Sequence, residues 1–337
     1  MSSGAAPQRI DRSGPSLYTV QEPVREMLDD VLDHMAAALE CAVPFIDEVT
    51  FHLHQMRGKL FRPALLGLAN RVEGEPDERE VALGAVIEMI HLATLVHDDS
   101  IDESELRRGL PTLNHRWGHK VSVIMGDYLY SRAMSEITRI GDLALIDLAA
   151  RVTNDMTIGE MVEIDHQGKL SEDVDRYFYM IEKKTASLVA TSCEMGAVIG
   201  APSHREALRR YGHHLGMAFQ LIDDLMDYGG EQAVMGKPAG SDLREGQITY
   251  PLLAVLPRLE PGERDRVERV LGSKERGNGE EIGVVVELVR RNGGLEATRR
   301  RAEEYGEKAA RELASLPRTP VVEVLEETVD YVLRRRR

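Results

Sequence analysis

Two cysteines in 337 residues, Cys41 and Cys193, exclude a disulfide framework and leave no thiolate set for a structural zinc. Both sit in apolar stretches, which fits a reducing cytoplasm. Aromatic residues make up only 5%, and alternating Val, Ile or Tyr runs are few, which argues against a sheet-built core. Positive charge is in deficit. The 42 Lys and Arg stand against 57 Asp and Glu, and the formal net charge of −15 repels a phosphate backbone, so nucleic acid is not an expected partner. No long hydrophobic run occurs either. The most apolar segment, 81–96, carries Glu88 and His91 and falls short of the roughly 20 residues of a membrane span. The first 15 residues are polar, with much Ser, Gly and Pro and no apolar centre of a secretory signal, so 1–16 reads as a flexible tail.

What the chain has is helix. Hydrophobic residues reach 42%, enough for a sizeable core, and Ala, Leu, Glu and Arg recur with a helical period. Val24, Met27, Leu28, Val31, Leu32, Met35 and Leu39 mark one helical face. Further helices are expected over 63–72, 78–97, 120–140, 143–167, 173–199 and 204–228, with Ser203 and Glu206 forming a capping box for the last. Shorter helices follow near 263–271, 280–290, 295–316 and 321–333. No solvating linker divides them, so 17–337 reads as one all-α bundle around an apolar interior that side chains or a ligand can fill. The connection 229–246, with five glycines and Lys237, is long enough to be a lid or a solvated loop.

Two acidic clusters stand out. Asp98, Asp99 and Asp102 follow one apolar helix, and Asp223, Asp224 and Asp227 repeat the same Asp-Asp-x-x-Asp spacing. Outer carboxylates at i and i+4 share a helical face about 6 Å apart, suited to bracketing a hard cation such as Mg²⁺, while the middle Asp points aside. Three acids at a helix C-terminus oppose its dipole, a conflict that a bound cation removes. Arg107 and Arg108 adjoin the first cluster, and their guanidinium forks match phosphate oxygens. Lys59 and Arg62 precede a helix start, where backbone N–H groups also favour an anion. Acids, metal and arginines together describe a diphosphate site.

These pieces resemble the trans-isoprenyl diphosphate synthases, the polyprenyl synthetase family, of the medium- to long-chain type. The match runs from about Leu17 to Arg335: Gly58-Lys59-x-x-Arg62-Pro63, the stretch His91 to Gly109, Gly126-Asp127, Lys184-Thr185, Phe219 to Asp227, and Gly236-Lys237-Pro238 with Gly240, Asp242 and Leu243. Gln247, where many relatives carry Lys, and Glu163, where they often carry Gln, depart from the pattern. The resemblance implies an isoprenoid-synthase bundle, usually a homodimer, around a central substrate cavity. It implies a head-to-tail prenyltransferase that joins isopentenyl diphosphate to an allylic diphosphate with Mg²⁺, about three ions per site.

By the same resemblance Asp98, Asp102, Asp223 and Asp227 hold metal, with Asp99 and Asp224 in their network. Lys59, Arg62, His91 and Arg108 match the isopentenyl diphosphate site; Arg107, Lys184, Thr185, Gln220 and Lys237 match the allylic side. Read from its residue type alone, His91 on an apolar face is more often a core residue. Counting back from Asp98 by one and two turns gives Thr94, Ala93 and Met89, which the family ties to chain length. The first two are small, so a product longer than farnesyl is expected, with Met89, Val86 or Met161 as deeper floors. A farnesyl or geranylgeranyl synthase is the nearer alternative. A di-metal carboxylate bundle built on the Glu-x-x-His pairs Glu88–His91 and Glu163–His166 is the remote one.

Overall fold

Ser16 opens the first helix: its side chain accepts from the Thr19 N–H, and its own N–H donates to the Thr19 hydroxyl. The computed structural model describes residues 15–56, 58–229, 240–272 and 279–335. Most of the expected tail therefore lies outside the described residues, and Ser16 has a capping role that composition did not indicate. Helices α1 (Leu17–Gln21), α2 (Arg25–Leu39), α3 (Pro44–Gln55), α4 (Phe61–Asn70) and α5 (Glu80–Ile101) lead to a hairpin of β1 (Leu106–Arg107) and β2 (Leu110–Pro111). Then come α6 (Leu113–Trp117), α7 (His119–Ile140), α8 (Leu143–His166), α9 (Val174–Ile181), α10 (Ser187–Gly200) and α11 (Arg205–Gly229). The C-terminal part adds α12 (Ser241–Arg244), α13 (Tyr250–Leu253), α14 (Pro261–Gly272), α15 (Gly279–Arg291), α16 (Gly294–Leu313) and α17 (Pro320–Arg334).

The fold is all-α, with α5 packed along α7, α10 between α4 and α11, and α11 along α16. Val31, Leu65, Leu83, Ile87, Leu129 and Leu188 are fully buried in the main core. Tyr228, Val267 and Val285 anchor a second apolar cluster under the C-terminal helices. Helix α5 is long and apolar enough to cross a membrane by length and composition, contrary to the shorter run read from sequence, but two thirds of that window (67%) is buried within the fold.

The structure adds α3, the short helices α1, α6, α12 and α13 and the β1–β2 hairpin to the expected elements. The helix expected over 173–199 is interrupted by a π-helical turn, Glu182–Ala186. The capping box at Ser203 does not form: its hydroxyl donates to Glu73 instead, and Glu206 pairs with Arg209 and Arg210.

Candidate active site

The last turn of α5 carries the first acidic cluster, and Asp102, its C-cap, donates its N–H to the Asp98 carbonyl at 2.8 Å. Asp99 does point aside. It is 4% exposed, and the Arg107 Nε donates to both its oxygens at 2.9 Å. Arg107 comes from β1, whose tight turn to β2 places Arg108 at φ +53° and Gly109 at φ +79°. Two successive positive φ values mark a type I′ turn, and a β-branched residue there would be strained.

Burial pushes the Asp98 carboxyl up to about 7, with Glu160, Glu163 and Asp102 adding to the shift and Lys184 opposing it. Asp102 rises to about 6, again through burial first and Glu245 second. Helix α8 approaches this pair through Gly159, where a Cβ would lie 2.5 Å from the backbone nitrogen of Lys184. That close approach and the π-helical turn together aim Lys184 at the acids. Its ammonium pairs with Glu160 at 2.7 Å and with Glu163, and these anions hold it firmly protonated against its burial. Glu163, the departure noted in the sequence, thus supplies a second anion to the only lysine in this part of the site's described wall besides Lys169. Gly126, in the motif Gly126-Asp127, has a related reason: a Cβ there would meet the His97 ring at 2.2 Å.

Helix α11 presents the second cluster. Thr185 donates to Gln220 at 2.8 Å, Gln220 donates to Asp224 at 2.8 Å, and the buried Tyr177 hydroxyl donates to the other Asp224 oxygen. Burial raises the Asp224 carboxyl to about 7 despite those donors. Asp223 is ion-paired with Arg335. Asp227, expected among the metal ligands, accepts the backbone N–H groups of Ser241 (2.9 Å) and Asp242 (3.2 Å) and so fixes the start of α12. Gly236, Lys237 and Pro238 lie outside the described residues. Gln247 donates its backbone N–H to the Asp242 carbonyl and reaches the cleft wall.

The residues expected on the isopentenyl side lie around the start of α4. Arg62 is half-buried, and its Nη1 donates to His91 Nε2 at 3.1 Å. Burial, then Arg62 and Arg108, depress His91 well below its ordinary range, so the ring is neutral and accepts at Nε2. Lys59 is exposed just ahead of the helix, its carbonyl bonded by Gln21. Arg108 Nη1 donates to the Met56 carbonyl at 2.7 Å. Glu88 was missed as a member of this group. It is 3% exposed, and burial raises its carboxyl while Arg62 and Arg108 oppose the rise. Its spacing three before His91 was the available signal. The two Glu-x-x-His pairs do not converge, and no group of three or more metal-ligating side chains forms a ready-made cage among the described residues.

A cleft of about 240 Å³ has Asp102, Glu163, Lys184, Thr185, Gln220 and Asp224 in its wall; Asp98, Asp223 and the Arg62–His91–Arg108 group are not part of that wall. Met89 and Ala93 are not in that wall; they pack in the main core, 0% and 4% exposed, and Thr94 is half-buried with its hydroxyl on the His91 carbonyl. Val86 is fully buried, whereas Met161, one expected floor of a tunnel, is 61% exposed and closes nothing within one chain.

The polyprenyl synthetase family model matches residues 43–289. The octaprenyl diphosphate synthase of Escherichia coli (strain K12) is 36% identical over 85% of this chain and 89% of its own length. A polyprenyl synthase from Caulobacter crescentus CB15, solved with calcium and isoprenyl diphosphate, superposes with a TM-score of 0.90 at 35% identity, covering 97% of this chain and 100% of that one. A decaprenyl diphosphate synthase from Rhodobacter capsulatus gives 0.89, also at 35% identity, over 96% and 100%. With Asp102 and Asp224, one from each aspartate cluster, in one cleft wall of this all-helical scaffold, the chain belongs to the polyprenyl synthetase family.

Proposed function

We propose that the protein is a trans-prenyltransferase that condenses isopentenyl diphosphate with an allylic diphosphate into a polyprenyl diphosphate longer than farnesyl. The observation that carries this is that one aspartate of each acidic cluster, Asp102 and Asp224, lines a single cleft with Lys184, while Arg62 pairs with His91 at the start of α4. Relatives named for octaprenyl and decaprenyl products support the chain-length class.

The donor set fits a hard divalent cation. It consists of carboxylate oxygens, and burial pushes Asp98, Asp102 and Asp224 up to about 7, 6 and 7, with Lys184 opposing the rise at Asp98 and Asp102. Asp98, Asp102 and Asp223 would hold Mg²⁺, with Asp227 steadying the start of α12 behind them. Bound there, Mg²⁺ supplies positive charge to a leaving diphosphate. Lys184 and Arg107 add cations on the allylic side, where negative charge develops as the C–O bond breaks, and by the family pattern Lys237 joins them. Thr185 and Gln220 present oxygen dipoles to the same space. Lys59, Arg62 and Arg108 bind the second diphosphate, with neutral His91 and buried Glu88 orienting Arg62. No protein nucleophile is needed, since the alkene of isopentenyl diphosphate attacks the cation and the released diphosphate can accept the proton lost afterwards. The calcium and isoprenyl diphosphate in the Caulobacter crescentus structure support this reading of metal and substrate class.

Purified protein incubated with labelled isopentenyl diphosphate, farnesyl diphosphate and Mg²⁺ should extend the starter by several units on sizing the products. Products that stop one unit beyond the starter would overturn the chain-length class, and no incorporation would overturn the proposal. We also propose a homodimer. Ile124 on α7 is 67% exposed and Leu143 at the start of α8 is 80% exposed, which leaves apolar surface that one chain does not cover.

A further inference from the structure

The C-terminal end of α17 returns to the second aspartate cluster through Arg335. Its side chain is 8% exposed, and three attachments hold it there: an ion pair to Asp223, a bond from Nη2 to the Phe219 carbonyl at 2.8 Å, and the guanidinium stacked 3.5 Å from the Phe219 ring centroid. Phe219 in turn stacks on Phe61, and Tyr331 lies against Phe61, so the last turn of the chain, the start of α4 and the middle of α11 form one packed stack. The arrangement is incomplete in one respect. The Nε atom of Arg335 is buried without a hydrogen-bond partner, and so is that of the half-buried Arg62, which lies close enough for the two charges to repel each other. Unsatisfied buried N–H groups weaken the hold of a site on its cation.

We propose that Arg335 is a positioning residue, the resident counter-ion of Asp223 in the unloaded enzyme, which a divalent cation must displace before the second cluster can take part in the reaction. The inference rests on the proposed metal role of Asp223. An arginine offers Asp223 a single, diffuse charge; a divalent cation offers two at shorter range, and it also relieves the repulsion among Asp223, Asp224 and Asp227. Exchange is therefore downhill once the cation is abundant, and it frees a guanidinium beside Arg62. Displacement also removes the anchor of the last helical turn, whose final bond runs from the Arg335 N–H to the Tyr331 carbonyl at 3.0 Å. Cation binding and loosening of the C-terminus become one event.

Titration calorimetry with Mg²⁺ alone, on substrate-free protein, tests this with wild type, Arg335→Gln, Arg335→Lys and Asp223→Asn. Arg335→Gln should bind Mg²⁺ about five- to tenfold more tightly than wild type, because the competitor is gone, and Arg335→Lys should fall between them. A merely structural arginine would lower stability and leave or weaken Mg²⁺ affinity. In wild type, hydrogen–deuterium exchange at the Arg335 amide should speed up several-fold on saturation with Mg²⁺. Unchanged or weaker Mg²⁺ binding by Arg335→Gln overturns the proposal, as does an Arg335 amide indifferent to Mg²⁺. The exchange measurement and Arg335→Lys decide the matter if the Gln variant does not fold. Equal Mg²⁺ affinity of wild type and Asp223→Asn would instead strike the metal role of Asp223 itself, and the counter-ion role with it.

Discussion

At the scale of single residues the site is governed by carboxyls that share too little positive charge. Asp98 titrates near 7 in the fold against an ordinary 3.8, chiefly because it is buried. Between those values the folded chain holds a proton that the unfolded chain has lost, so stability falls as pH rises through about 7 and is fully regained below about 4. Asp98→Asn removes that dependence. The variant should be more stable than wild type at pH 8 by about 2–4 kcal/mol, and the gap should close near pH 4.5. Urea midpoints for both proteins at the two pH values measure it, and Mg²⁺ at pH 8 should narrow the gap by stabilising the charged wild-type carboxyl. A gap independent of pH would mean that Asp98 is ordinary and solvated. The acids themselves were legible in sequence from their spacing, and so were Arg62, Arg107 and Lys184 from the motifs around them. The middle Asp of the first cluster turns aside as helical geometry dictates, onto Arg107, but in the second cluster the middle acid, Asp224, is the one in the cleft wall, held by Tyr177 and Gln220. Arg335 was not legible as a site residue, because its contact with Phe219 spans 116 positions and no local pattern records it.

The elements show where periodicity stops being informative. Long apolar faces such as α2, α7 and α8 were readable within a few residues, since a 3.6-residue period survives any tertiary context. Helix α3 mixes Thr, His and Asp into a short span, and the π-helical turn inserts one residue into a run that otherwise looks continuous. Neither carries a period long enough to read. Gly159 lets α8 pack closely against that turn. In Gly159→Ala the new methyl would lie 2.5 Å from the Lys184 nitrogen and 2.9 Å from its Cα, both backbone atoms that yield only if α8 moves away. The expected cost is about 1–3 kcal/mol in a denaturation midpoint, with a drop in turnover larger than that loss of stability explains. Wild-type turnover in a folded Gly159→Ala would dissociate Lys184 placement from catalysis. Helix α5 raises the question of product length. Ala93 is buried at 4%, one turn before the acids, and the described cleft does not reach it, so the path of a long tail must open between packed helices. Ala93→Phe should shorten the longest product while the first condensation survives. Unchanged product length with lowered stability would show that Ala93 is small for packing alone.

At the scale of the whole molecule, the absence of disulfides, sheet and basic surface already narrowed the chain to an acidic helical bundle, and the two aspartate clusters narrowed its chemistry. What the sequence could not show is which surfaces remain uncovered. Ile124, Leu143 and Met161 stay exposed on α7 and α8, and a second copy packed there would remove them from water. Light scattering should give twice the chain mass; an active monomer would contradict the dimer. The account rests most heavily on both acidic clusters serving one reaction in one cleft. Incorporation of labelled isopentenyl diphosphate, compared among wild type, Asp98→Ala and Asp223→Ala with far-ultraviolet circular dichroism on the same samples, tests that directly. Each variant should lose activity by about a thousandfold or more with an unchanged helical spectrum. Substantial incorporation by either folded variant, or loss of helix in step with loss of activity, would contradict it.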